Sequence, residues 1–287
     1  MEESNLRDDM PYDLVVVPEQ PVITPQTVAK LEAFVRRGGK LLSTGVSIMP
    51  PEMQNLLGVQ LIQRGAADDG HVFLKSGDSA GVYAPWDKLE LREATELYPL
   101  YLSWDETNPW MKAFPANWAI TGLVDEENPE KAGFPAATVR KLGKGMAMHI
   151  PTDFFMTYWK FGNLDMLAWM REIFDYLQPE PLFRTDAFSY VEVVLRQKRD
   201  TLLVHLVNGS AGRDLSHVHT EDLWVDEIPP LGPITCWLRC AGRPGKVTWE
   251  PGGIPAHETW LNGELKAVLP RLDIHTCMKV EGWQRIG

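Results

Sequence analysis

The chain has 287 residues, an ordinary soluble composition and a formal net charge of -11. That length accommodates two domains with cores of their own. The acidic balance argues against nucleic acid or an anionic membrane surface as a partner, because both recruit basic patches.

The first legible unit is YDLVVVPEQPVITPQTVAKLEAFVRRGGKLLSTG, starting at Tyr12. Leu14 to Val17 are consecutive apolar residues, the pattern of a strand covered on both faces. Pro18 stops it, since proline cannot donate to a central ladder. Thr24 stands at an N-cap with Pro25 at the first helical position. Val28, Leu31, Phe34 and Val35 then recur at helical spacing. Arg36 and Arg37 suit the C-terminal end of the helix dipole, and Gly38-Gly39 stops the helix. Lys40 to Leu42 begin a second strand, so the unit reads as a right-handed parallel crossover. Few residues precede it, so the chain reads as starting inside an α/β domain.

A short helix is expected at Glu52 to Leu57, ended by Gly58. Residues 63–118 show weak periodicity and read as short strands and long loops. AATVRKLGKGMAMHIP, from Ala136, reads as two strands joined by a tight turn at Gly143-Lys144-Gly145. A helix follows from about Asn163 to Leu177, with Met166, Leu167, Met170, Ile173, Phe174 and Leu177 on its apolar face. Gln178-Pro179-Glu180-Pro181 marks a domain boundary. Beyond it the period becomes two. Strands are expected at Tyr190–Leu195, Thr201–Val207, Ile234–Leu238, Lys246–Trp249, Glu264–Leu269 and Ile274–Glu281, the number and spacing of a small antiparallel sandwich.

No apolar run approaches a membrane span, and the acidic start MEESNLRDDM is no secretory signal. Cys236, Cys240 and Cys277 are odd in number, which fits a reducing compartment better than a disulfide framework. A cytoplasmic location is therefore expected.

Chemistry is thinly signalled. Residues 1–180 hold no cysteine, and Thr44-Gly45-Val46-Ser47 lacks the G-x-S-x-G nucleophile pattern. His217 and His219, near Glu221 and Asp222, are candidate metal ligands should they lie on a strand. With no second cluster, a polar loop is the favoured reading. The Cys236/Cys240 pair has no second pair to complete a zinc site and reads as buried structure. Asp105, Glu106 and Asp153 are loop acids that could form a glycosidase pair if their separation suits. Trp86, Trp104, Trp110 and Trp118 gather with Tyr98 and Tyr101 in the weakly periodic stretch. They read either as a sugar-facing loop or, preferably, as a packed lid. On the first reading Trp104, Asp105, Trp110 and Trp118 contact substrate. Gly143-Lys144-Gly145 lacks Walker spacing and is not a phosphate loop. No cofactor or metal is expected.

Several stretches resemble the C-terminal part of multidomain glycoside hydrolases. They are residues 12–45, NLLGV at 55–59, RKLGKGMAMHIPTDFF at 140–155, LLVHLVN at 202–208 and LPRLDIHTCMKVE at 269–281. The likeness is to family 42 β-galactosidases and, more so, to α-L-fucosidase-like hydrolases. It implies an α/β fold, with a flavodoxin-like, class I amidotransferase-like and mostly parallel sheet. That sheet is the β-galactosidase trimerisation type, truncated at its N-terminus, and a small antiparallel β-sandwich follows it. The expected domains are 1–180 and 181–287. In the family, catalysis belongs to an upstream (β/α)₈ barrel, so no catalytic residue carries over. The implied role is non-catalytic scaffolding and oligomerisation in carbohydrate metabolism. The implied partners are that barrel, or a separate chain carrying it, and further copies in a trimer-like assembly. The alternatives are a carbohydrate-binding module and a hydrolase with its own site at the C-terminal ends of the parallel strands.

Overall fold

The computed structural model describes residues 10, 12–20, 22–45, 50–102, 129–210 and 228–286. The chain divides into two compact units, Met1–Pro179 and Glu180–Gly287.

The first unit opens as its sequence dictates. Strand β1 (Leu14–Val17) leads to helix α1 (Pro25–Arg37) and strand β2 (Lys40–Thr44). Thr24 Oγ1 accepts the Thr27 amide, and Gly38 ends the helix at φ 124°. β1 pairs parallel with β2 in the register Leu14↔Lys40. Leu41 packs towards α1, and Leu42 towards the other face of the sheet. Burial on both faces explains the unbroken apolar run.

Helix α2 (Pro51–Leu57) follows, then β3 (Val59–Ala67), β4 (Gly70–Phe73), β5 (Ser79–Val82), β6 (Trp86–Leu91), β7 (Thr95–Tyr101), β8 (Lys131–Leu142) and β9 (Gly145–Ile150). The unit closes with α3 (Phe154–Phe161) and α4 (Leu164–Leu177). The main sheet has the order β1-β2-β9-β8-β7-β4-β5, and β3 and β6 form a separate antiparallel pair. One core holds Leu31, Phe34 and Val35 of α1 with Met53, Leu56 and Leu57 of α2. The other holds Trp169, Ile173 and Leu177 of α4 with Met148, Ile150 and Leu100 of the sheet.

The expectation of a flavodoxin-like, amidotransferase-like, mostly parallel sheet is overturned. Among the described residues only β1/β2 and β2/β9 are parallel; β9/β8, β8/β7, β7/β4 and β4/β5 are antiparallel. The sheet is mixed, and among the described residues strand far outweighs helix. The reason lies in the connections. A parallel neighbour needs a long crossover, usually helical. Between β2 and β9 the described residues contain one seven-residue helix, and β8 returns into β9 through a tight turn that permits only antiparallel pairing. Gly145 lets that turn lie against the end of α1: a Cβ there would lie 2.1 Å from Gly39 O and 2.3 Å from Val35 O.

Every strand pairing among the described residues of the second unit is antiparallel. A four-stranded sheet runs β10 (Phe183–Thr185), β13 (Ile234–Arg239), β17 (Glu264–Leu269), β16 (His257–Leu261). A five-stranded sheet runs β11 (Val191–Lys198), β12 (Thr201–Asn208), β18 (His275–Val280), β14 (Val247–Glu250), β15 (Ile254–Pro255). Alternate residues of both sheets, among them Leu202, Val204, Leu206, Cys236, Leu238, Leu265, Met278 and Val280, share one buried core.

Candidate functional site

Open sheets with parallel strands place ligands beyond the strands' C-terminal ends. Here that edge is formed by the ends of β1, β2 and β9, and it gathers three acidic side chains. Glu19 follows β1, with φ 36°, in the left-handed region that non-glycine residues rarely occupy. Its amide donates to Thr44 O at 3.1 Å. Its Oε1 accepts from Thr44 Oγ1 at 2.8 Å and from the Phe155 amide at 2.8 Å. The carboxylate therefore sits at the N-terminus of α3, where the helix dipole favours negative charge. Asp153 occupies the N-cap position itself but makes no side-chain cap bond.

Asp87, on β6, is buried. Its amide donates to Pro151 O at 2.9 Å, and its Oδ1 accepts the Gly65 amide at 3.0 Å. Burial pushes the carboxyls of Glu19 and Asp87 above their ordinary ranges, and the negative charge of Asp153 pushes both the same way. Raised acids beside a further carboxylate are what a proton-transferring site uses. Yet each of the two already holds backbone amides in place, which is structural work.

His149, on β9, lies at the same edge. Its Nδ1 is 3.1 Å from Ser43 O, and Nε2 is buried without a partner among the described residues. Burial lowers its pKa to about 4, so it stays neutral. At the opposite end of β1 and β2, a pocket of about 410 Å³ is lined by Tyr12, Asp13, Arg37, Lys40 and Gln178 among others.

Of the sequence candidates, Asp153 belongs to this edge. Trp104, Asp105, Glu106, Trp110 and Trp118 lie outside the described residues, as do Ser47, His217, His219, Glu221 and Asp222. Trp86 and Tyr98 are core residues: Trp86 is fully buried, and Tyr98 meets Trp169 edge-on at 5.9 Å. Tyr101 stacks edge-on with Phe73. Cys236, Cys240 and Cys277 are free and buried. Burial pushes the Cys236 thiol up to about 12 and that of Cys240 up to about 11, which keeps both protonated and poor as ligands. Among the described residues no group of three His, Cys, Asp or Glu is arranged to hold a metal, and no helix is long and apolar enough to cross a membrane. Sequence reasoning missed Glu19, Asp87 and His149. Glu19 alone carried a signal, its place directly behind a buried strand and Pro18.

No protein-family model matches the sequence, and no curated protein matches it. Solved structures do match. Alpha-L-fucosidase isoenzyme 2 from Paenibacillus thiaminolyticus superposes with a TM-score of 0.72 at 18% identity, over 96% of this chain and 41% of that one. The β-galactosidase from Bacillus circulans sp. alkalophilus gives 0.55 at 16% identity, over 94% and 33%. The GH42 β-galactosidase Gan42B from G. stearothermophilus gives 0.54 at 18%, over 95% and 32%. The likeness is one of fold. The chain spans about two fifths of the fucosidase and about one third of the galactosidases.

Proposed function

We propose that this chain is a non-catalytic C-terminal scaffold and oligomerisation portion of a glycoside-hydrolase-like protein acting in carbohydrate metabolism. Its partner on this reading is a catalytic barrel, carried by the same protein or by a separate chain, in the cytoplasm. The observation that carries the reading is coverage. Nearly all of this chain is matched by the solved hydrolases, whereas most of each hydrolase has no counterpart in it.

The surface of the first unit supports an association role. Met156, Trp159 and Phe161 of α3 and Leu164 of α4 are exposed within nine residues of sequence, Leu164 to 76%. Apolar groups concentrated in this way mark surfaces that another surface covers. The coupled carboxylates at the strand ends favour a second reading, a hydrolase with its own site there.

The deciding experiment takes the purified full chain, an aryl β-galactoside, an aryl α-L-fucoside and analytical ultracentrifugation. The scaffold reading expects no turnover of either substrate, and self-association that weakens in a Phe161→Ser/Leu164→Ser variant. Turnover that disappears in Asp153→Asn would overturn it in favour of the hydrolase. A chain that stays monomeric at all concentrations would remove the oligomerisation part.

A further inference from the structure

The outer face of the five-stranded sheet in the second unit carries a feature that neither scaffolding nor hydrolysis uses. β12 and β18 pair with His205 opposite Cys277 and Val207 opposite His275. His205 and His275 are therefore diagonal neighbours on one face, within reach of each other's long side chains. Their rings lie nearly parallel, 14° apart with centroids at 5.3 Å, and His205 Nδ1 is 3.0 Å from His275 Nε2. The pair is on the solvent side, since the core alternates with it through Val204, Leu206, Met278 and Val280.

We propose that His205 and His275 form a two-imidazole chelating site for a late first-row divalent ion of the Cu²⁺, Ni²⁺ and Zn²⁺ class. Imidazole suits these ions. Metal–nitrogen bonds of about 2.1 Å set at a right angle put two nitrogens about 3.0 Å apart, the spacing present. The rings now meet head-on along their hydrogen bond, with centroids 5.3 Å apart, so each must swing for its lone pair to reach a shared ion. Affinity at nitrogen ligands rises through Ni²⁺ to Cu²⁺ and falls again at Zn²⁺, so Cu²⁺ is the ion expected to bind most tightly. In the free protein the two nitrogens share one hydrogen bond, one ring donating and the other accepting. On binding, the donor ring gives up the proton between the two nitrogens and carries one on its other nitrogen, and both rings turn so that the two lone pairs converge on the ion and no longer on each other.

Water completes the coordination shell. Glu250, across from Cys277 on β14, is already held: its Oε1 accepts from Thr248 Oγ1 at 3.0 Å and its Oε2 from the Gly253 amide at 2.8 Å. No third His, Cys, Asp or Glu joins the pair among the described residues. The site is accordingly a moderate, open chelate and not a structural zinc centre.

The test is calorimetric titration of Ni²⁺ into the tag-free full chain, with Cu²⁺ as a second probe. One ion per chain is expected, with Cu²⁺ tighter than Ni²⁺. His205→Gln and His275→Gln should each weaken binding by at least the roughly tenfold that even an outer-shell change costs. The same substitutions made in a His217→Gln/His219→Gln background remove the other closely spaced histidines, so that binding lost there reports on the His205/His275 pair alone. Circular dichroism melting shows whether the variants remain folded. Unchanged Ni²⁺ affinity in a folded His205→Gln/His275→Gln variant, or no Ni²⁺ uptake by the parent chain, overturns the proposal.

Discussion

Glu19 Oε1 accepts the amide hydrogen of Phe155 at 2.8 Å, tying the end of β1 to the first turn of α3 across 136 residues of sequence. The same oxygen takes the Thr44 hydroxyl, so one carboxylate joins β1, β2 and α3. Glu19→Ala leaves both donors without that acceptor and should cost about 2 kcal/mol, at roughly 1 kcal/mol per bond. Glu19→Gln keeps the accepting oxygen and should cost about 1 kcal/mol or less. Chemical denaturation at neutral pH measures both.

The pH dependence at Glu19 has a definite sign. Burial, the largest cause, raises its folded pKa above the ordinary 4.5. Between 4.5 and the raised value the folded state binds more protons than the unfolded one. By linkage, its contribution to stability falls as pH rises through that window and is constant above it. Glu19→Gln should remove this component. A parent-minus-variant difference that is flat across the window would contradict the assignment.

His149 acts in the opposite sense. Its pKa drops from 6.5 to about 4 on folding, because burial disfavours the imidazolium. The unfolded chain therefore takes the proton first as pH falls. Stability should decline progressively from about pH 6.5 to about 4 by on the order of 3 kcal/mol, at 1.36 kcal/mol per unit. His149→Asn places an amide N–H near the position of Nδ1, facing Ser43 O, and removes the titrating group. Its stability should be much less sensitive over that range, read from urea midpoints at each pH.

Much of the first unit's opening was legible because its signals are local. Thr24, Pro25 and Gly38-Gly39 punctuate α1, and two-sided burial of Leu41 and Leu42 leaves a continuous apolar run. The antiparallel half was not legible. β6 carries the buried pair Trp86 and Asp87, one apolar and one charged, so it shows no clean alternation. β7 and β8 slip register at Tyr98 and Pro99, which breaks the period of two. The site failed for another reason: no local rule says that the residue after Pro18 will meet a helix 136 positions on, and only tertiary folding makes Glu19 a cap.

Trp169 centres the core beneath α4. It meets Phe154 edge-on at 4.8 Å and Tyr98 at 5.9 Å, and it is fully buried. Trp169→Ala should destabilise the first unit by about 3–5 kcal/mol through lost contacts and the cavity left behind. Trp169→Phe should cost less, about 1–2 kcal/mol. It loses volume but also removes an indole N–H that has no partner among the described residues. Near-ultraviolet dichroism with urea titration distinguishes the two outcomes.

Gly145 offers a test of the β8–β9 turn. Its missing Cβ would press on the backbone oxygens of Val35 in α1 and of Gly39 just beyond it, and backbone cannot swing aside as a side chain can. Gly145→Ala should therefore cost about 1–3 kcal/mol, the range for overpacking. A substitution with no effect on the urea midpoint would mean that the turn does not approach α1 so closely.

In the second unit, Asn208 ends β12 and is almost wholly buried. Its Nδ2 donates to Pro229 O at 2.9 Å and to Asp273 O at 2.8 Å, while Oδ1 accepts the Ser210 amide at 3.0 Å. Asn208→Ala strips all three partners and should cost about 2–4 kcal/mol. Asn208→Asp is the sharper test, because its shape is the same and only the chemistry changes. The acceptor for Ser210 survives, but an anionic oxygen now faces two carbonyl oxygens. That raises the folded pKa of the introduced carboxyl, since the protonated form can donate one bond where the anion repels two. The variant should be at least as destabilised as Asn208→Ala at neutral pH. It should then regain stability relative to the parent as pH falls through the raised pKa, because the folded state binds the extra proton. If N208D and N208A respond alike to pH, the two donated bonds do not hold the Pro229 and Asp273 carbonyls.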